Sequence, residues 1–327
     1  MPLRTIEYRQ MLQILVMFMI VQFAGLAIST LLYNGVGYSQ TVANQTISTT
    51  SNAFFYVAYI VAITLLMLFI MKVYKGEVLM AYLEAVLVVI GAYIVFLIVI
   101  GSIGGSSYSA LFGNSLSLYS IAAFIGAVAL ILAKRRVPRL RNATTMIASI
   151  GAGLLLGSIF SFTIALIFMA ILAVYDFVAV FVTKHMVALA DIAMRNNLSF
   201  MVTADEIKAV PVSGLTKEQL VEYNKERSLI VKQGGIGASL IKQGMAPLAA
   251  RSGLGNGDLA VPLMLAVAAY KVHMSFTLSL VVAGGAVLGL IITMAILKRY
   301  RRALPAIPPL MLGILIALGL YFGASML

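Results

Sequence analysis

LAVYDFVAV at Leu172–Val180 and GLGNGDLAVPLML at Gly253–Leu265 each set an aspartate, Asp176 and Asp258, within an apolar run. An ionisable group in hydrocarbon costs several kcal/mol, so an acidic residue in such a run marks function by default. Two carboxyls that meet at one depth can share a proton and activate water. The runs around them must therefore be placed relative to a bilayer.

Of 327 residues, 62% are hydrophobic and only 10% are charged, a composition of membrane helices rather than of a soluble domain. Nine apolar spans are predicted, at about Met11–Tyr33, Ala53–Met71, Val78–Ile100, Leu116–Ala133, Ala143–Phe160, Ser161–Thr183, Gly253–Tyr270, Phe276–Leu297 and Leu304–Met326. The fifth and sixth share some forty apolar residues, too many for one crossing, and Gly157–Phe162 is the expected turn. With these boundaries 22 of the 23 lysines and arginines fall in loops on one side, and only Lys271 lies opposite. The positive-inside rule then puts the N-terminus in the cytoplasm and the C-terminus outside. The net charge of +12 is thus spent on topology, and no nucleic-acid partner is implied. There is no cysteine and only His185 and His273, which leaves no thiol nucleophile, disulfide or multi-histidine metal site to expect. No cofactor is implied.

The chain divides into residues 1–185, carrying helices one to six, a flexible cytoplasmic loop at 186–252, and residues 253–327, carrying helices seven to nine. Within the loop SGLTKEQLVEY has the caps for a short helix, and KQGGIGAS lacks the Lys-Ser/Thr ending of a phosphate-binding loop. The GxxxG patterns Gly153–Gly157 and Gly285–Gly289 point to close helix packing within the chain.

Only Glu84, Asp176 and Asp258 among eleven acidic residues lie inside spans. Glu84, about two turns into the third span, is suited either to bonding another helix or to snorkelling toward the inner surface. From the outer face Asp176 is about fifteen residues deep (~22 Å) and Asp258 about thirteen (~20 Å), on helices running in opposite directions. In a hydrocarbon core of ~30 Å both reach the cytoplasmic third at one level. Around Asp258, the glycines at 253, 255 and 257 leave room for a close backbone and for water, and Pro262 removes the amide that would bond the Asp258 carbonyl. Such a pair holds one proton between two carboxyls. One takes a proton from water while the other donates to a scissile carbonyl. A proton-coupled transporter using the aspartates as a relay is the alternative, although neither internal repeats nor midplane sites are evident in the sequence.

Tyr175-Asp176 in the sixth span, Gly255-Asn256-Gly257-Asp258 at the seventh and Pro305-Ala306-Ile307 at the ninth together resemble the presenilin and signal peptide peptidase family of GxGD intramembrane aspartyl proteases. The resemblance spans essentially the whole chain, and the single-chain form with compact loops looks like the archaeal homologues. It implies an all-α, nine-helix presenilin-like fold in a cell membrane and protease activity on transmembrane segments of other proteins. It also implies Asp176 and Asp258 as the catalytic pair. Substrate contacts are implied at Tyr175, Gly255, Asn256, Gly257, Pro305, Ala306 and Ile307. The chain departs from the family pattern at Asn256, where the residue is usually apolar, and at Ile307, where it is usually leucine. With Pro305, Pro308 and Pro309 barred from a helix interior, the 305–309 stretch is expected to be extended.

Overall fold

A computed structural model of the chain describes residues 8–35, 77–104, 118–181, 199–214, 243–273, 276–300 and 305–325, with single positions at 220, 223, 224, 227 and 241. The chain forms eight helices in these segments: α1 Tyr8–Thr30, α2 Glu77–Ile103, α3 Leu118–Arg136, α4 Arg141–Ile159, α5 Phe162–Phe181, α6 Asn256–His273, α7 Phe276–Tyr300 and α8 Ile307–Ser325. Seven of them, all but α6, are long and apolar enough to cross a membrane. Each of the eight coincides with one of the expected spans. The expected second span, Ala53–Met71, lies outside the described residues, as does most of SGLTKEQLVEY.

Local chemistry sets the boundaries. The fifth and sixth spans part where Phe160 takes an extended backbone, φ −84° and ψ 144°, so α4 stops at Ile159 and α5 restarts at Phe162. Lys134, Arg135 and Arg136 end α3, where cations oppose the helix dipole.

The short helix α6 lies at the centre. Every residue from Leu259 to Tyr270 is buried, and α1, α4, α5 and α7 pack around it. A helix apolar on all sides needs such an enclosure. Small residues bring the neighbours close. A Cβ at Gly157 would stand 2.7 Å from the Met264 carbonyl oxygen of α6, and one at Gly285 would stand 2.7 Å from the Ile314 Cα of α8. Both GxxxG patterns therefore serve contacts inside the chain.

Two expectations are corrected. The 186–252 stretch, expected to be a loop with at most a short helix, contains strand β1, Met201–Pro211, and its end contributes most of β2, Met245–Gly255. They pair antiparallel, Met201 opposite Gly255 and Pro211 opposite Met245. Gly253 and Gly255 are consequently strand residues, and α6 begins only at Asn256 rather than at Gly253. The second correction concerns the prolines. Pro308 and Pro309 lie in the first turn of α8 instead of in an extended segment. The first-turn amides of a helix have no intrahelical acceptor, so proline loses nothing there. The first helical bond of α8 runs from the Leu310 amide to the Ala306 carbonyl, 3.2 Å.

Candidate active site

At one end of α6 the Lys271 ammonium donates to the carbonyls of Ser158 and Phe160, both at 2.9 Å. This fastens the end of α6 to the turn between α4 and α5. Counting back from that fastening, Asp258 lies thirteen residues along α6, and Asp176 lies fourteen residues along α5 from Phe162. At about 1.5 Å per residue the two carboxyls arrive at the same level, ~20–21 Å away. They lie within electrostatic reach of each other. Asp176 is buried and Asp258 half-buried. Lys271→Met keeps the apolar stem and removes both donated bonds. We expect it to destabilise the protein by about 1–3 kcal/mol, read as a lowered thermal midpoint in detergent.

A backbone amide holds each carboxyl. The Ile307 N–H donates to Asp176 Oδ2 at 3.2 Å. The Gly255 N–H donates to Asp258 Oδ2, also at 3.2 Å. Asp258 is the third residue of α6, and an acidic side chain there folds back on the amide just ahead of the helix. A Cβ at Gly255 would stand 3.2 Å from that carboxyl oxygen, which leaves little room for a side chain at 255.

Of the other residues singled out in the sequence, Pro305, Ala306 and Ile307 are buried together at the start of α8, beside Asp176. Tyr175 is half-buried next to it. Gly257 is exposed, and open space surrounds the place where its Cβ would be. Asn256 turns elsewhere. Its carboxamide accepts from the Ser149 hydroxyl of α4 and donates to the Ser199 carbonyl at 3.2 Å, while its backbone N–H donates to the Phe200 carbonyl at 2.9 Å. Among the described residues no three His, Cys, Asp or Glu side chains gather as a metal site requires.

Sequence reasoning passed over Gln22. It is fully buried in α1 and donates its amide to the Leu259 carbonyl, 3.0 Å, one residue past Asp258. This supports α6 in the turn where Pro262 supplies no amide. The signal was available, because Phe18, Gln22, Gly25, Leu26 and Ser29 recur at helical spacing on the buried stripe of α1.

The family model for signal-peptide peptidase, presenilin aspartyl protease matches residues 15–324. No curated protein matches. Two solved structures of a presenilin family intramembrane aspartate protease are similar in fold. The one in a C222 crystal form has 18% identity and a TM-score of 0.57, covering 97% of this chain and 99% of its own. The one in a P2 form has 19% identity and a TM-score of 0.52, covering 97% and 98%. A match over nearly the entire length settles the affiliation: the chain belongs to the signal-peptide peptidase and presenilin aspartyl protease family, and is an integral, multi-pass aspartic endopeptidase of the intramembrane class.

Proposed function

We propose that Asp176 and Asp258 form a catalytic dyad that hydrolyses peptide bonds inside the transmembrane segments of other membrane proteins, with water as nucleophile. The observation that carries this reading is the arrival of both carboxyls at one level on antiparallel α5 and α6. In a pocket of low dielectric two facing carboxyls do not both ionise, so the pair holds a single proton. The ionised partner takes a proton from water as the water oxygen bonds the scissile carbonyl carbon. The protonated partner donates to the carbonyl oxygen, giving a neutral tetrahedral diol. Collapse of the diol returns a proton to the dyad, delivers one to the leaving nitrogen and breaks the C–N bond.

Ahead of that step, an unwound substrate strand is held against Pro305-Ala306-Ile307 and the main chain of Gly255-Asn256-Gly257, with Tyr175 bounding the cavity. We further propose nine crossings with the N-terminus cytoplasmic and the C-terminus outside, on the distribution of lysine and arginine. The units are 1–185 and 253–327, each carrying one aspartate, joined by a cytoplasmic connection at 186–252. The family match does not favour a proton-coupled transporter.

The test uses purified protein and a fluorogenic transmembrane peptide, with and without an aspartyl-protease transition-state inhibitor. Inhibitable cleavage is expected; proton-driven flux with no cleavage would sink the proposal. The Ile307 amide gives a second test. Ile307 is the first residue of α8, a position that accepts proline, so Ile307→Pro removes the bond to Asp176 while sparing the helix. We expect kcat to fall by about 10- to 100-fold, as for loss of a hydrogen bond to a charged group. Ile307→Leu keeps the N–H and stays well above the proline variant.

A further inference from the structure

Ser199, just ahead of β1, is fully buried, and its main chain is gripped on both sides. Its N–H donates to Glu84 Oε1 of α2 at 2.8 Å. Its carbonyl accepts from Asn256 Nδ2 of α6 at 3.2 Å. Each gripping side chain is held in turn. Lys134 of α3 makes an ion pair with Glu84 Oε1, and the Ser149 hydroxyl of α4 donates to Asn256 Oδ1. The root of β1 is tied again by Asn142 of α4, which donates to the Thr203 carbonyl at 2.8 Å and accepts the Thr203 N–H at 3.1 Å.

The place of these bonds gives them meaning. Asn256 is two residues ahead of Asp258 and directly follows Gly255, whose amide holds the Asp258 carboxyl. From Leu259 to Tyr270, α6 is buried among its neighbours. Its first turn lacks that enclosure, since Asn256 and Asp258 are half-buried and Gly257 is exposed. What fixes the first turn is polar, and it runs through Ser199 to Glu84.

We propose that Glu84 and Asn256 are positioning residues that clamp Ser199 and thereby set the place of Asp258. Neither touches the reacting atoms. A buried ion pair is often no more stabilising than well-packed apolar side chains of the same volume. The Glu84–Lys134 pair therefore contributes mainly orientation: it aims the Glu84 oxygen at the Ser199 amide. Misplacing a catalytic group by about 1 Å can cost on the order of a hundredfold in rate.

The inference rests on Asp258 being one of the two catalytic carboxyls, and the experiment separates the two claims. Full-length wild type, Asn256→Ala, Glu84→Ala, Glu84→Gln and Asp258→Ala are compared for cleavage of a transmembrane peptide. Amide hydrogen exchange is followed at residues 199–203. We expect Asn256→Ala and Glu84→Ala to lower kcat by about 10- to 100-fold with KM within about threefold, and exchange at 199–203 to accelerate. Glu84→Gln, which loses the charge but keeps an acceptor for the Ser199 N–H, should restore most of both readouts. Wild-type kcat in Asn256→Ala alongside accelerated exchange would overturn the clamp. So would a glutamine variant as impaired as the alanine one, because the charge pair alone would then matter. If Glu84→Ala does not fold, Asn256→Ala and Glu84→Gln decide the question by the same criteria. Full activity in Asp258→Ala would instead refute the dyad, a result the exchange measurement does not touch.

Discussion

Asp258→Ala and Asp176→Ala are each expected to lower peptide cleavage by about a thousand- to ten-thousand-fold, and the double variant should be no worse than either single one. General acid–base transfer contributes ~100- to 10,000-fold and transition-state electrostatics a comparable factor, so loss of either carboxyl removes most of the dyad's rate. In free energy this is about 4–5.5 kcal/mol of barrier. Groups that act as one unit are non-additive, and the double variant tests that unity. Asparagine substitutions separate chemistry from folding. Asp258→Asn keeps an oxygen for the Gly255 amide, and Asp176→Asn keeps one for the Ile307 amide. Both should hold a thermal midpoint at or above that of the wild type, because a carboxyl taken out of an apolar span relieves a cost. Either asparagine variant cleaving at more than about a tenth of the wild-type rate would exclude the carboxyl as a proton carrier.

Much of this molecule could be read from the residues in order, and the parts that could not share a physical cause. Span lengths, the break near Phe160 and the level of the two aspartates follow from rise per residue and hydropathy, which are local quantities. The β1–β2 ribbon escaped because its pairing is not local. Met201 meets Gly255 across more than fifty residues, and neither MVTADEIKAVP nor MAPLAARSGLG alternates apolar and polar positions in the manner of a half-buried strand. Its presence moved the start of α6 and turned Gly253 and Gly255 from helix into strand residues. Pro308 and Pro309 were misjudged for a different reason. Proline is excluded from helix interiors but accommodated in the first turn, and the sequence does not number the turns. Asn256 shows the limit of a family pattern. The pattern alone leaves open whether a polar residue at this place meets substrate or bonds near the carboxyl, and only the fold sets its amide against Ser149 and Ser199.

The ribbon also changes how the site is held. Asp176 comes from the interior of a long helix, five residues before the end of α5, and is held by the Ile307 amide of α8. Asp258 comes from a helix start that directly continues a strand. Its place thus depends on polar bonds to α2, α4 and the approach to β1, in addition to packing.

Among the described glycines, the tightest backbone approach is where α2 and α4 cross. The helices meet at Gly91 and Gly151, and a Cβ on Gly151 would collide with the Gly91 carbonyl oxygen; one on Gly91 would stand 2.6 Å from the Ala148 carbonyl oxygen. The obstacle is backbone, which cannot rotate aside as a side chain can. Gly151→Ala should therefore cost about 1–3 kcal/mol, and Gly151→Leu more, enough to part the helices. The damage would not stay local, since α2 carries Glu84 and α4 carries Asn142 and Ser149, all bonded to the Ser199–Thr203 stretch or to Asn256. A proper control lies in α7. Gly284 is exposed with nothing within 4 Å of a new Cβ, although its neighbour Gly285 is packed against α8. Gly284→Ala should be neutral or gain up to about 1 kcal/mol, because alanine suits a helix better than glycine. Thermal denaturation of the two alanine variants in one detergent reads the contrast directly. Equal midpoints would mean that α2 and α4 do not approach as closely as their glycines allow.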